Sequence, residues 1–304
     1  MVAEITLMKP VRTALFAPGI KERVMTKALE SGADAVILDL EDSVPAGSKA
    51  EARILVAKII DGMVGVHSGP AIYVRVNGAT SGLLADDLDA VVRPGLDSIL
   101  LAKAENIEDV QRTATVIDRH ESQRTMDPGS TGIILMIETA LGVHNCFNLI
   151  KTCPRVAATC FGSARDGDLQ TDLGCSWSIE GTELLYARSK VLLDTRAAGS
   201  HIHPLDGVFS DLNNEAGLIA DSRLSARLGY IGRTVIHPKQ IAPVKSAYAV
   251  PEVEVAYYQK LVVEFAAAEK AGTAAIAVDG KLVDYAMAHR ARRVLELAKL
   301  DRPR

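Results

Sequence analysis

Several acidic residues of this 304-residue chain directly follow runs of apolar residues, where a buried strand would end. Glu138 comes after the run 132–137, and Asp166 and Asp168 follow a run that ends at Phe161. A carboxylate in such a position is partly desolvated and needs a cation or a hydrogen-bond donor beside it. Mg²⁺ binds a few carboxylates together with water and substrate oxygens. The pattern therefore predicts a magnesium site.

Two basic residues lie at the ends of other apolar runs. Arg75 is able to hold a carboxylate through two parallel hydrogen bonds. A guanidinium beside Mg²⁺ suits a 2-oxo acid, because the metal would chelate the keto and carboxylate oxygens and polarise the carbonyl. Lys103 would permit a Schiff base with a carbonyl substrate. A lysine that is simply paired with Glu105 or Glu138 is the alternative.

These residues need a scaffold that brings strand ends together. Eight short apolar runs alternate with longer amphipathic segments, and most runs are continuously apolar, as expected for parallel strands covered on both faces. Eight strand–helix repeats predict a closed (β/α)8 TIM barrel, in which the carboxyl ends of the strands carry the chemistry. The runs are Thr13–Ala17, Ala35–Leu40, Ala71–Val76, Ser98–Ala102, Gly132–Ile137, Val156–Phe161, Leu205–Phe209 and Thr234–Ile236.

The alternative scaffold is an open, doubly wound sheet. Such a sheet usually carries a GxGxxG turn after its first strand, whereas the chain reads APGI at 17–20. We therefore expect an α/β barrel over residues 1–271. Residues 272–304, a short extended segment followed by a helix, are not needed to close a barrel. We expect them to act as a lid or an oligomerisation segment.

Composition excludes several classes of protein. The chain is 48% hydrophobic and 24% charged, which is typical of a globular protein. A net charge of −4 with only 4% aromatic residues argues against a general nucleic-acid binder. No apolar run approaches the roughly 20 residues that span a bilayer, and residues 1–10 lack the features of a signal peptide. We expect a cytoplasmic protein that binds neither nucleic acid nor membrane.

Nine short motifs follow one another along nearly the whole chain. They are RTALFAPG (12–19), DAVILDLEDSV (34–44), YVRVNG (73–78), LLAKAEN (100–106), MIETALG (136–142), DLQTDLG (168–174), DGVFSDLNN (206–214), TVIHPKQI (234–241) and DGKLVD (279–284). In this order and spacing, the chain resembles the citrate lyase beta-subunit-like (CitE-like) proteins of the HpcH/HpaI aldolase/citrate lyase superfamily. The motifs are specific for the superfamily and not for one substrate.

The resemblance implies a (β/α)8 barrel with Mg²⁺ as cofactor. The implied activity is a lyase that cleaves or forms a carbon–carbon bond in a CoA thioester such as citryl-, malyl- or citramalyl-CoA, with an acyl thioester and a 2-oxo acid as products. Arg75 would bind the substrate carboxylate and act in catalysis, and Glu138 would bind Mg²⁺ beside the substrate. The second metal ligand is Asp168 when the chain is aligned from DLG, or Asp166 when it is aligned from Phe161-Gly162. Asp168 is preferred.

Two further expectations, on a lid and on assembly, follow from the resemblance, and a third follows from two charges that flank the first strand. The motif GKLVD is similar to a family segment whose aspartate acts from a lid over a neighbouring subunit's site, and that residue is Asp284, a predicted proton-transfer group. Arg12 and Lys21 flank the first strand and are candidate contacts for CoA phosphates, with ordinary surface charge as the alternative. Relatives form trimers or hexamers, so we expect a homo-oligomer, with citrate lyase complex partners as a further expectation.

Two other functions remain open from the sequence. An aldolase that acts on free 2-oxo-4-hydroxy acids would keep the barrel and the metal but would need no path for CoA. A non-catalytic subunit or ligand-binding barrel would keep the fold alone. Affinity for CoA separates the first from the lyase, and loss of Mg²⁺ binding would favour the second.

Overall fold

A computed structural model describes residues 8–301, and its main feature is a closed parallel barrel. Eight strands pair in chain order, and the eighth closes the sheet against the first. This confirms the predicted α/β barrel. The strands are β1 (Thr13–Pro18), β2 (Ala35–Asp39), β3 (Ala71–Val76), β4 (Ser98–Leu101), β5 (Gly132–Ile137), β6 (Val156–Phe161), β7 (His203–Asp206) and β8 (Gly232–Val235).

Helices alternate with these strands along the chain, as the strand–helix rhythm predicts. One predicted helix, 180–198, is preceded by a separate short helix that ends at the left-handed Gly174. The helices are α1 (Glu22–Leu29), α2 (Lys49–Asp61), α3 (Leu84–Val91), α4 (Ile107–Gln123), α5 (Ala140–Lys151), α6 (Asp168–Leu173), α7 (Leu185–Ala198), α8 (Glu215–Leu228), α9 (Ile241–Tyr248), α10 (Glu252–Lys270) and α11 (Tyr285–Ala298).

The barrel strands are buried on both faces. Every residue of β2 and of β6 is buried, which matches their continuous apolar sequences. Tyr73 and Phe161 are among the largest side chains that are fully buried. Full burial of one large apolar side chain stabilises the fold by about 1.5–3 kcal/mol. The strands thus form a rigid frame that fixes the residues at their carboxyl ends.

The last two barrel strands begin earlier than the sequence predicts. The seventh was expected over 205–209 and lies at His203–Asp206; the eighth was expected over 234–236 and lies at Gly232–Val235. A charged residue inside β8 explains the second difference. Arg233 is completely buried, and its charge is balanced by Asp221 at 2.7 Å. An apolar pattern does not reveal a strand that contains a buried ion pair.

Within the described residues, the chain from Tyr248 onward forms a second compact unit. Helices α10 and α11 pack together with an antiparallel hairpin of β9 (Ile276–Val278) and β10 (Lys281–Val283). Their shared core includes Phe265, which is fully buried. The division falls before α10, earlier than the expected boundary at 271/272, because α10 buries its apolar face within this unit.

Within residues 8–301, no helix is long and apolar enough to cross a membrane. The expectation about a signal peptide concerns residues 1–10, of which 1–7 lie outside the described part of the chain.

Candidate active site

A cavity of about 290 Å³ opens at the carboxyl ends of the barrel strands. Its lining combines charged groups with apolar walls, an arrangement typical of small-molecule sites. It is also where barrel enzymes place their chemistry. The residues that line it include Phe16, Asp39, Asp42, Arg75, Glu138, Gly162 and Asp168.

Arg75 is fixed at the floor of this cavity by carboxylates. Its Nε and Nη2 donate to the two carboxylate oxygens of Asp39 at 2.7 and 2.8 Å. Its Nη1 lies 2.8 Å from Glu41 and 3.2 Å from Asp42, and the guanidinium lies over the Phe16 ring. Burial disfavours the charged guanidinium, but these carboxylates outweigh burial and raise the pKa of Arg75.

Asp39 was not among the residues selected from the sequence. It is the last residue of β2, and the register of β2 and β3 places it opposite Arg75. Burial raises the pKa of Asp39, but the hydrogen bond and the charge of Arg75 lower it further, so the net shift is downward. In the sequence, Asp39 could have been noticed as the one polar residue in the apolar run AVILDL, residues 35–40. Only the register of the strands shows that Asp39, more than Glu41 or Asp42, holds the arginine.

Glu41 lies between two cations, Arg75 and Lys103. Its carboxylate is 2.8 Å from Nη1 of Arg75 and 3.7 Å from Nζ of Lys103. The loop that carries it is held by Lys49, which donates to the carbonyl oxygens of Leu40 and Glu41 at 2.7 Å. Burial is the largest influence and raises the pKa of Glu41 to about 7, although Arg75 lowers it.

Glu138 follows β5 and is buried in the cavity wall. Its Oε1 accepts the backbone N–H of Lys103 at 2.9 Å. Burial raises the pKa of Glu138 to about 8, more than the Lys103 hydrogen bond and Arg75 lower it. A side chain at Gly162 would not fit here, because its Cβ would lie 2.4 Å from the Cβ of Glu138. The glycine after β6 thus provides the space that Glu138 occupies.

Asp168 and Asp166 take different positions. Asp168 is the first residue of α6 and lines the cavity, with its side chain 39% exposed and Oδ1 3.3 Å from Nζ of Lys103. The Asp166 side chain is 81% exposed and lies 3.6 Å from Nε of Arg165. Asp166 also has a left-handed backbone, with φ of 57°. The fold thus brings Asp168, and not Asp166, to the cavity that contains Glu138 and Arg75.

The side chain of Lys103 has partners other than those expected from the sequence. It pairs with Asp168 and Glu41, whereas Glu138 is contacted only by the backbone N–H of Lys103. Burial lowers the pKa of this lysine, but Asp168 and the neighbouring carboxylates more than compensate and raise it. A lysine that stays protonated is a poor nucleophile, which argues against a Schiff base.

Glu138 and Asp168 have the donor chemistry of a magnesium site. Among residues 8–301, no basic side chain lies within ion-pair distance of Glu138, so a bound cation would be the partner that favours the charged form of this buried carboxyl group. The same residues contain no group of three or more histidine, cysteine or acidic side chains arranged around a metal position. Mg²⁺ accepts two protein carboxylates when water and substrate oxygens complete its shell. The residues present therefore fit Mg²⁺.

The two residues considered for CoA phosphates lie at opposite ends of β1. Arg12 precedes the strand, is buried, and donates from Nη1 to the carbonyl oxygen of Ile231 at 3.0 Å. This position, at the end of the barrel away from the cavity, argues against a contact with CoA. Lys21 follows the strand at the same end as the cavity, and its side chain is exposed.

Asp284 lies in the second compact unit, at the start of α11. Its Oδ1 accepts the backbone N–H of Met287 at 3.0 Å, so the carboxylate caps the helix. Asparagine caps helices as well as aspartate does. The cap accounts for a side chain of this type at this position, and a role in proton transfer requires a separate test.

Comparisons with known proteins match nearly the whole chain. The model of the HpcH/HpaI aldolase/citrate lyase family matches residues 12–238. The citrate lyase subunit beta of Escherichia coli K12 is 35% identical over 290 residues, covering 95% of this chain and 94% of the relative. The human mitochondrial citramalyl-CoA lyase is 30% identical over 300 residues, covering 95% and 86%.

A solved structure has the same architecture. The protein CitE of Mycobacterium tuberculosis, in complex with magnesium, acetoacetate and coenzyme A, superposes with a TM-score of 0.73 at 26% identity. The match covers 95% of this chain and 98% of that one. The likeness therefore includes the end of the chain as well as the barrel.

Proposed function

The chain belongs to the HpcH/HpaI aldolase/citrate lyase family and is a carbon–carbon lyase, and we propose that it acts on a CoA-type thioester with Mg²⁺ as cofactor. In the cleavage direction, a 3-hydroxyacyl thioester such as citryl-, malyl- or citramalyl-CoA would give an acyl thioester and a 2-oxo acid. The relatives named for citrate lyase and citramalyl-CoA lyase, and the neighbour with bound magnesium and coenzyme A, support this class of substrate.

One observation carries the proposal. The buried carboxylate of Glu138 faces the same cavity as Asp168 and as the fixed cation Arg75. Glu138 and Asp168 would hold Mg²⁺, and the bound metal would polarise the keto oxygen of the oxo acid. A group of two carboxylates and one guanidinium matches a 2-oxo acid, which presents a keto oxygen and a carboxylate side by side.

Arg75 would orient the substrate carboxylate. Asp39 occupies the Nε–Nη2 edge and Glu41 lies 2.8 Å from Nη1, so the substrate carboxylate would reach Nη1 by displacing the exposed Asp42, which lies 3.2 Å away. Because Asp39 holds the guanidinium in place before the substrate binds, little reorganisation is needed as negative charge develops in the reaction. Phe16 supports the guanidinium from its face.

A proton must move at two positions. On cleavage, the hydroxyl group loses its proton as the carbonyl of the oxo acid forms, and the electron pair of the broken carbon–carbon bond passes to the α-carbon of the acyl thioester. That carbon then takes up a proton, so the proton lost by the hydroxyl group and the proton gained by the α-carbon balance overall. We assign the transfer at the α-carbon to Asp284, acting from residues 272–304 as a lid that a neighbouring subunit shares in a homo-oligomer. Lys21 would meet the phosphates of CoA.

The test is a substrate panel assayed by mass spectrometry. Purified protein with Mg²⁺ is incubated with citryl-, malyl- and citramalyl-CoA and, separately, with free 2-oxo-4-hydroxy acids. We expect one thioester to yield an acyl-CoA and a 2-oxo acid in equal amounts. A Glu138→Gln protein is the matched control, and it should form no product. Turnover of the free acids alone would contradict the thioester assignment, and no turnover of any thioester would contradict the function.

A further inference from the structure

Lys103 contacts both of the carboxylates that would hold the cation. Its backbone N–H donates to Oε1 of Glu138 at 2.9 Å, and its Nζ lies 3.3 Å from Oδ1 of Asp168. The ammonium also lies 3.7 Å from Oε1 of Glu41. A single residue therefore positions one carboxylate through its backbone and neutralises another through its side chain.

The backbone of Lys103 has an uncommon conformation for a lysine. Its φ is 50°, in the left-handed region, which costs a residue with a side chain roughly 1–2 kcal/mol. Glycine or asparagine would suit such a backbone better. Conformations of this kind persist where the surrounding structure imposes them, often at functional sites. The lysine at this position is thus explained by the contacts of its ammonium and not by its backbone.

The ammonium has an alternative partner within reach. The Lys103 side chain is 41% exposed, so its end is not enclosed by protein, and Glu41 Oε1 already lies 3.7 Å from Nζ while Asp168 lies at 3.3 Å. Glu41 is buried, with a side chain only 9% exposed, and is anchored on Arg75 at 2.8 Å. If the Lys103 ammonium moved away from Asp168, it would still have Glu41 as an ionic partner and would not be solvated by water alone.

We propose that Lys103 is a positioning residue whose ammonium pairs with Asp168 in the metal-free protein and passes to Glu41 when the cation binds. The inference rests on the proposed function, because it requires a cation between Glu138 and Asp168. In the metal-free protein the lysine offsets the negative charge of Asp168. It also competes with the cation for Asp168, so it lowers the affinity of the site for Mg²⁺.

The experiment is a calorimetric titration of the full chain with MgCl₂ in the absence of substrate. Lys103→Met removes the charge at nearly constant length and leaves the backbone N–H in place. We expect it to bind Mg²⁺ about fivefold more tightly than the wild type, as for loss of a partly exposed ion pair. Lys103→Arg keeps the charge and should stay within about twofold of the wild type. Lys103→Gln is a second neutral variant and should match Lys103→Met.

The matched control is Lys21→Met. Lys21 is an exposed lysine at the same end of the barrel, and its removal changes the net charge equally. Its affinity for Mg²⁺ should equal that of the wild type, because exposed charges that are well separated are screened by salt.

Thermal unfolding provides a second measurement. Added Mg²⁺ should raise the melting temperature of Lys103→Met more than that of the wild type, since at one concentration a ligand that binds more tightly stabilises the folded state more. Unchanged or weaker Mg²⁺ binding in both neutral variants would overturn the inference and leave the proposed function standing. A gain in Mg²⁺ affinity in Lys103→Arg or Lys21→Met equal to that in Lys103→Met would also overturn the inference. Titrations without binding in the wild type and in every variant would overturn the inference and the magnesium site together.

Discussion

Asp39 and Arg75 lie opposite each other on neighbouring strands and share two hydrogen bonds, of 2.7 and 2.8 Å. Both side chains are buried. Two parallel bonds fix the plane of the guanidinium as well as its position. The orientation of the Arg75 guanidinium is therefore determined by β2, before any ligand enters the cavity.

Asp39→Asn should weaken both the fold and the catalysis. The change leaves a buried guanidinium with fewer acceptors, so we expect a loss of about 2 kcal/mol in the free energy of unfolding, with Glu41 limiting the cost. A misplaced guanidinium should lower kcat/KM at least tenfold. Urea unfolding and steady-state kinetics measure the two effects. Asp42→Asn is the control: its side chain is 61% exposed and it contacts the same Arg75, so its stability should change by less than about 0.5 kcal/mol.

The two aspartates after β6 should behave differently. Asp168→Asn should abolish Mg²⁺ binding and activity without unfolding the barrel, as should Glu138→Gln, because each change would remove the charge of a proposed metal ligand and keep the shape of the side chain. Asp166→Asn, an exposed neighbour two residues away, should bind Mg²⁺ as the wild type does. Calorimetry with Mg²⁺ and circular dichroism measure binding and fold. Equal, mild effects of Asp166→Asn and Asp168→Asn would show that neither aspartate is a ligand.

Stability should fall in acid through Glu121, far from the cavity mouth. Burial raises the pKa of Glu121, but Arg155 and the backbone N–H groups of Gly129 and Thr131 outweigh it, so its pKa is lowered from 4.5. A lowered pKa in the folded state means that the stabilisation is complete above about pH 4.5 and is lost as the pH falls through the folded value. Glu121→Gln should cost about 2 kcal/mol at pH 7 and remove this part of the acid dependence.

The measurement is urea unfolding at a series of pH values from 7 to 3. Asp127→Asn is the control, since Asp127 is an exposed carboxylate close to Glu121 in sequence. Its unfolding curves should follow those of the wild type. An acid dependence of Glu121→Gln equal to that of the wild type would assign the effect to other carboxylates.

Asp284 offers a pair of variants that separates capping from catalysis. Asp284→Asn keeps the helix cap and removes the charge, whereas Asp284→Ala removes both. We expect kcat to fall strongly in each variant, with little change in KM, because the group acts in the transition state. Only Asp284→Ala should lose stability, by about 1 kcal/mol. Full activity of Asp284→Asn would leave the carboxylate with its capping role alone.

Mixed oligomers test whether Asp284 acts across subunits. A preparation that combines Asp284→Asn chains with Glu138→Gln chains should regain activity, because some interfaces would join an intact metal site to an intact aspartate. Each variant assembled alone should stay inactive. No recovery in verified mixed oligomers would indicate that Asp284 acts on the site of its own chain.

The barrel could be predicted because the same pattern, an apolar run followed by an amphipathic segment, occurs eight times along the chain. Eight apolar runs, each followed by a helix, leave few other ways to bury the chain, and the first six strands lie where the runs predict them. Residues at strand ends, such as Glu138 and Asp168, could be selected because a parallel barrel brings all those ends to one face. Strand β8 was shortened in the prediction because the buried Arg233 interrupts its apolar pattern.

The details of the site depend on register and on the end of the barrel that a residue occupies. Asp39 faces Arg75 only because β2 and β3 pair with Asp39 opposite Arg75. Arg12 and Lys21 look equivalent as charges that flank one strand, yet they lie at opposite ends of it. The side-chain partners of Lys103 depend on its left-handed backbone, which no pattern of residue types revealed.

The division of the chain between Ala247 and Tyr248 also marks a natural point for recombination with relatives. A chimera joined there would inherit each hydrophobic core from a single parent. A chimera joined at 271/272 would instead pair Phe265 from one parent with Val278 and Val283 from the other, three side chains that share one core. Exchange of residues 248–304 as a block is therefore the way to ask which properties of a relative belong to the end of its chain.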